Sequence, residues 1–567
     1  MKRYLLLIGC LLLTAAFVMG MGNRAQTGAS GAGAIDRSNF NTLGTYPLVK
    51  QKATLTFALE TESSPKNWET NWFTQFYEDK TNVRINFMQF PLDQYKERVN
   101  LAFAAGEKID FVINYGRFNR TEILRFAQQG VIQRYDHLID SDTIHMKAGL
   151  DKYPGLRESF TLPDGSMYVP PAISNMLHVQ YYGKMWVNMT FLQNLNLNIP
   201  TTIDEFRNML IAFRDRDANG NGNPNDEIPF AGAIDATGAK TSTFLMNAFV
   251  YDDGENRLYL NNGRVTAAFN QPEFRDGLRY LAQLYSERLI YPDSFVLRRG
   301  ERQYGNSQKY ESIIGAMGNP HHLNLGSRDS GQPARWLEYR PIAPLKGPNG
   351  LQITRFDYYG TNESLCGLIP VTATNPALVL RWLDWMYTDE GALIFDQGGK
   401  GIGWTDADPG ATGNDGSPAV FKPIQPATGQ PYYENYRWQL PLPMYRPREW
   451  FGMEQEPADM MASDGSGSGR FLYYWTQQNY VPYGAPVSML LPPLYYSEAD
   501  VSAIASLAAT INTYVEESIA RFVTGQMNVD RDWDRYLTEL RNMGLERYLS
   551  LIQSNYDRSS YAAAARR

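Results

Sequence analysis

The sequence predicts an α/β protein of two or three domains. Two observations carry that expectation. The chain has 567 residues, more than one ordinary core holds. Between residues 53 and 129, apolar strand-like runs alternate with helix-like runs, which is the pattern of a mostly parallel sheet flanked by helices. Composition narrows the class. Hydrophobic residues make up 43% and charged residues 20%, which suits a soluble globular chain. The formal net charge is −7 with no basic cluster, so a nucleic-acid partner is not expected. Aromatics reach 13%, with 36 Tyr, 27 Phe and 11 Trp. Flat surfaces for sugars or other ring-shaped ligands are one use for such an excess.

The N-terminus reads as an export signal over residues 1–22. Lys2 and Arg3 precede an apolar run from Leu5 to Met19 that ends in small residues and is short for a membrane span. Leu7-Ile8-Gly9-Cys10 also resembles a lipobox, so anchoring through a lipidated Cys10 stands as the alternative to cleavage near Gly20 or Gly22. With Cys366 as the only other cysteine, no internal disulfide is expected. Residues 23–44, rich in Gly, Ala, Ser, Thr and Asn, read as a flexible tether.

The elements then follow in order. Residues 53–59 predict a buried strand, 68–80 a helix, 83–90 a second strand, 95–105 a helix, 109–113 a third strand and 121–129 a helix. Ligands of such sheets sit beyond the carboxyl ends of the strands, at residues 60–63 and 114–118 here. Asp164-Gly165 marks a turn, and the run from Lys184 to Asn188 opens a helix. Asn262-Gly263 between two short apolar runs signals a hairpin. Residues 273–289 form an amphipathic helix, and Asn375-Pro376 is a capped helix start. From Glu498 onward the pattern is helical, with Ile504, Leu507, Ile511 and Tyr514 as one stripe and Trp533, Tyr536 and Leu540 as another.

The richest chemical signal is the stretch from Asp215 to Phe230. Asp217, Asn219, Asn221, Asn223 and Asn225 recur at every second position, Asp226 and Glu227 close the run, and Gly220 and Gly222 let the backbone curl. A hard cation such as Ca²⁺ takes six to eight oxygens from a loop of this kind. The helix entering it has a Thr202/Glu205 capping box and an apolar face of Phe206, Met209, Leu210 and Phe213. Ile228-Pro229-Phe230 reads extended, so this is half of an EF-hand.

Several of these stretches together resemble an extracellular solute-binding protein of an ABC importer, of the large oligosaccharide-binding type similar to the alginate-binding and maltose-binding proteins. They are Met185-Trp186-Val187-Asn188, Ile199-Pro200-Thr201-Thr202-Ile203-Asp204-Glu205-Phe206, and Asp217-Ala218-Asn219-Gly220-Asn221-Gly222 with Asp226-Glu227-Ile228-Pro229. Leu383 to Gly391, Leu491-Pro492-Pro493-Leu494, Phe522-Val523-Thr524-Gly525 and Trp533-Asp534-Arg535-Tyr536 complete the series. The resemblance implies a two-lobed, type II periplasmic binding protein fold, with lobe 1 at residues 45–170 plus 353–420 and lobe 2 at 171–352 plus 421–560. Residues 561–567 are expected to be a disordered tail. It also implies a structural Ca²⁺, an oligosaccharide or sugar ligand, membrane permease partners and a monomer. The family's calcium loop is one residue shorter before its Asp-Glu pair, which leaves Asn225 and Asp226 as alternatives for facing the ion.

Catalytic signatures are lacking. The five histidines (His137, His145, His178, His321 and His322) form no H-E-x-x-H, and there is no phosphate loop or G-x-S-x-G elbow. A glycoside hydrolase needs only two spaced carboxylates, so an enzyme remains the alternative from a different class, as does a sugar sensor or adhesin without a transporter. For the ligand, Trp404 is the leading candidate platform, since it follows the glycine-rich run Gly398–Gly403; Tyr115, Tyr358, Tyr359, His321 and Trp68 are the others. Native protein is expected to begin at Met21 or Asn23 by mass spectrometry. An intact Met1 in a cytosolic fraction would refute export.

Overall fold

The computed structural model describes residues 35–562 except 62–66, 115–116, 154–155, 162–164, 175, 234–239, 296–310, 327–333, 360–365, 425–434, 439–444, 448, 464, 495, 497 and 560. The export signal, Cys10, Tyr115, Asp164 and residues 563–567 therefore lie outside the described residues. Residues 35–40 belong to a short N-terminal unit with its own turn, in which the Phe40 amide bonds to the Arg37 carbonyl. From Asn41 the chain is part of the main unit. Asn41 bonds to the Pro47 carbonyl at 2.8 Å and receives Arg381 on its own carbonyl at 2.9 Å, so the tether ends before residue 41 rather than at 44.

Two four-stranded sheets organise the described residues from Asn41 onward. The first runs in the order Gly367–Leu368, Phe111–Ile113, Ala53–Glu60, Val83–Phe90. Its three N-terminal strands are parallel, in register from Ala53 opposite Val83 to Glu60 opposite Phe90 and with Phe57 opposite Phe111. Gly367–Leu368 pairs antiparallel with Phe111–Ile113. The second sheet runs Tyr339–Ile342, Met185–Asn188, Ile314–Gly318, Ile228–Ala231, with only the last pair parallel. The chain thus builds one sheet, leaves to build the other, and returns to add an edge strand to the first.

Local chemistry explains most boundaries. The helix predicted over 68–80 begins at Trp72, because the Asn67 side chain takes the amides of Glu69 and Thr70 into a turn and Asn71 caps the amides of Phe73 and Thr74. It ends at Asn82 in the left-handed region, φ 58°. The helix expected to open at Lys184 is instead the strand Met185–Asn188, buried throughout, and Asn188 then caps the helix Met189–Leu195. The hairpin forms as expected, with Asn262 at φ 51° and Gly263 at φ 78° between paired strands Leu258–Asn261 and Arg264–Ala267. Gly315 is required by packing: a Cβ there would sit 2.3 Å from the Phe213 ring, where the helix Ile203–Asp215 presses on the second sheet.

Each sheet has its own core. In the first, Trp382 is 1% exposed and meets Phe57, Tyr77 and Trp438 at ring separations of 5.0, 4.9 and 5.8 Å. Trp438 also meets Trp68 and Phe73, and the strand Tyr445–Arg446 pairs with Ile173–Ser174. Asn435 and Trp438 therefore pack with the first lobe, as does Tyr445, whose ring meets Tyr387, where the division at residue 420 assigned them to the second. The second core joins strands Met185–Asn188 and Ile228–Ala231 to the C-terminal helices Glu498–Val523, Val529–Asn542 and Leu545–Arg558. Ala562 is 2% exposed in that core, so order runs beyond residue 560. No helix among the described residues is long and apolar enough to cross a membrane. Replacing Trp382 with Ala is expected to lower unfolding free energy by about 3–5 kcal/mol in a denaturant titration; a loss under about 1 kcal/mol would show that this cluster does not hold the first lobe.

Candidate functional site

The acidic loop is wound around Asp217. Its Oδ1 accepts the amides of Gly220 and Asn221 at 2.9 and 3.1 Å, and its Oδ2 accepts that of Gly222 at 2.9 Å. Gly220 and Gly222 adopt φ of 76° and 90°, which only glycine takes at little cost. Glu227 closes the ring: its Oε1 accepts the amides of Ala218 and Asn219 at 2.6 and 3.2 Å. Its Oε2 is buried without a hydrogen-bond partner among the described residues. Burial raises the Glu227 carboxyl above its usual range, and the backbone amides only partly oppose this. The side chains of Asn219 and Asn221 donate to Asp226 at 3.3 and 2.7 Å, so Asp226 turns inward, whereas Asn223 and Asn225 are exposed. Among the described residues no three His, Cys, Asp or Glu side chains converge as a metal cluster, so a cation here would rely on amide and carbonyl oxygens as well.

A cavity of about 580 Å³ opens between the lobes. One wall comes from the loop after the third strand of the first sheet. There Asn114 clamps Phe118, taking its amide at 2.6 Å and donating to its carbonyl at 2.9 Å. Asn119 then caps the helix Arg120–Gln128 with a full capping box. Arg117 spans back to Glu60 at the end of the first strand through two bonds of 2.8 and 3.0 Å. The opposite wall is the turn carrying Tyr251, Asp253 and Glu255, and the floor is the segment Arg355–Tyr359. Arg355 ties floor to wall, donating to the Asp253 carbonyl at 3.1 Å and the Glu255 carboxylate at 2.8 Å. Burial works against the Arg355 charge, but Glu255 and Asp253 more than offset it and hold the guanidinium protonated. Burial pushes the Asp253 carboxyl up, and Glu255 adds to that.

Of the sequence candidates, Tyr358 and Tyr359 line this cavity, with their rings edge to face at 5.2 Å. Trp404 does not line it. Its strand Trp404–Asp406 pairs with Phe421–Pro423, its indole donates to the Gly398 carbonyl at 2.9 Å, and its ring stands edge-on to Phe421 at 6.4 Å. His321 also lies elsewhere: its Nδ1 accepts the Leu323 amide at 3.2 Å and its ring stacks on His322 at 5.0 Å. Trp68 is a core residue, 3% exposed against Phe87 and Trp438. Tyr251, Asp253, Glu255 and Arg355 were not anticipated. Tyr251-Asp252-Asp253-Gly254-Glu255 reads only as a turn, and nothing local says that its side chains face a cavity.

A family model for the bacterial extracellular solute-binding protein matches residues 60–393, well over half of the chain. The chain belongs to this family. It is 26% identical over 533 residues to the fructooligosaccharide ABC transporter substrate-binding protein FusA of Streptococcus pneumoniae serotype 4 (strain ATCC BAA-334 / TIGR4), covering 90% of this chain and 91% of FusA. The structure of S. pneumoniae FusA with kestose superposes with a TM-score of 0.72 at 24% identity, over 91% of this chain and 100% of that one. A FusA EF-hand mutant with fructo-nystose gives 0.69 at 23%, with the same coverage. The alginate-binding protein AlgQ2 without calcium ion gives 0.61 at 20%, again over 91% and 100%. The fold is the two-lobed α/β fold of these family members.

Burial separates two of the candidate aromatics. Trp68→Ala is expected to cost about 3–5 kcal/mol of ligand-free stability. Tyr358, 44% exposed, should change it by no more than about 0.5 kcal/mol when replaced by Ala. Equal melting shifts for the two variants would contradict these placements.

Proposed function

We propose that this solute-binding protein is the extracytoplasmic, monomeric substrate-binding component of an ABC transporter. It takes an oligosaccharide in the interlobe cavity and presents it to a membrane permease by lobe closure. The observation that carries this reading is the combination of tyrosine faces and half-buried carboxylates around one cavity. A sugar laid on a phenol ring buries C–H surface, while its hydroxyls donate to carboxylate oxygens. FusA, named for fructooligosaccharide, supports the ligand class. The family's extracellular designation supports action outside the cytoplasm, released or anchored. Closure follows if the ligand contacts both walls, since it then binds the closed state more tightly than the open one. Binding alone accounts for the arrangement, with no chemical step on the sugar.

The acidic loop fits a structural Ca²⁺. The buried, unpartnered Glu227 Oε2 is what a cation would satisfy. Asp217, Asn219, Asn221, the Asn223 carbonyl, Asp226 and Glu227 would hold it, with Asp226 favoured over Asn225 by its inward turn. The ion would supply charge compensation and fix the exit from the helix Ile203–Asp215 into the second sheet.

Two measurements test this reading. Chelator should lower the melting temperature of the mature protein, calcium should restore it, and Asp217→Ala should abolish the difference. An unchanged melt together with no calorimetric Ca²⁺ signal would make the loop a turn only. Kestose and other oligosaccharides at 100 times their Kd should add about 2.7 kcal/mol, and Tyr358→Ala should weaken binding by about 2 kcal/mol, roughly thirtyfold. Turnover of the sugar by pure protein would refute a binding role.

A further inference from the structure

The charged side chains described around the cavity bear on which saccharide fits. Three carboxylates line it, Asp253, Glu255 and Asp357, against two guanidinium groups, Arg120 and Arg355. No lysine or histidine is among the described lining residues. Both guanidiniums already serve protein acceptors. Arg355 holds the Asp253 carbonyl and the Glu255 Oε1. Arg120 donates to the Ser159 carbonyl and lies 5.7 Å from the centre of the Phe160 ring. Acceptors are left over on the carboxylates. Asp253 uses Oδ1 for the amides of Glu255 and Arg257, and Glu255 uses Oε1 for Arg355; the second oxygen of each takes no hydrogen bond among the described residues.

We infer that this cavity selects uncharged, hydroxyl-rich saccharides and discriminates against chains of uronic acids. The inference rests on the oligosaccharide reading above and deepens it. A neutral sugar offers O–H donors, which suit carboxylate oxygens with spare lone pairs. A uronate brings another carboxylate into a half-buried site that already holds three, with Arg355 paired to Glu255, and like charges there repel more strongly than in water. It would also have to compete with Glu255 for Arg355. Discrimination by an unpaired charge is an ordinary route to specificity.

Calorimetry on the calcium-loaded mature protein at pH 7 and low salt provides the test. The probes are kestose and maltotriose as neutral trimers, and trigalacturonate and an alginate trimer as acidic ones. At least one neutral trimer is expected to bind, with both acidic trimers at least tenfold weaker. Glu255→Gln removes one negative charge and loosens the hold on Arg355, so it should narrow the neutral-to-acidic ratio at least threefold. Asp357→Asn repeats the measurement from the floor of the cavity should the first variant fold poorly. An acidic trimer that binds as tightly as the neutral ones, or a ratio unmoved by both substitutions, overturns the inference while leaving oligosaccharide binding in place. If no trimer of either kind binds, the oligosaccharide reading itself fails and the inference falls with it.

Discussion

The cavity wall depends on a buried arginine. Arg257 is 2% exposed, lies against Asp252, which is fully buried, and reaches Glu516 at 3.1 Å. Lys240 joins the same Glu516 at 2.8 Å. Removing such charges from water is costly, and the cost is met only when every partner is in place. The group therefore fixes a geometry more than it adds stability. Arg257 adopts a positive φ of 55°, Asp253 gathers the amides of Glu255 and Arg257, and Asn247 brackets Asp252 through both its side-chain atoms. The turn bearing Tyr251, Asp253 and Glu255 is thereby bolted to the helix Glu498–Val523, which belongs to the last part of the chain.

The same non-local logic governs both lobes. The first sheet is complete only after Gly367–Leu368 returns to it, and its core only after Trp382 and Trp438 arrive. The second is closed by three helices that follow residue 498. Segments separated by more than 200 residues must meet before either core is dry.

How much of this was legible in the sequence follows from range. The parallel strands Ala53–Glu60 and Val83–Phe90, the helix Tyr95–Ala105, the capping box at Thr202 and Glu205 and the Asn262-Gly263 hairpin are written in neighbouring residues, and they appear where expected. So is the spacing of the acidic loop, although only the folded hydrogen bonds separate Asp226 from Asn225. Trp68 and Trp404 could not be sorted in this way. Trp68 is core because Trp438 comes to it from 370 positions away, and Trp404 found a partner in Phe421 across a short sheet that no local pattern announces. Tyr358 and Tyr359 are among the weaker sequence candidates, and the cavity gathers them. Their neighbours Asp253 and Arg355 came from turns whose composition is shared by any surface loop.

The floor of the cavity, Arg355–Tyr359, lies on the stretch that carries the chain from Tyr339–Ile342 in one sheet to Gly367–Leu368 in the other. The link between the sheets and part of the cavity lining are thus the same few residues. Under the proposed binding role, a lineage that changed its preferred sugar through Tyr358 or Tyr359 would alter the link between the sheets in the same step. A change at Glu255 would reach the same link through its ion pair with Arg355.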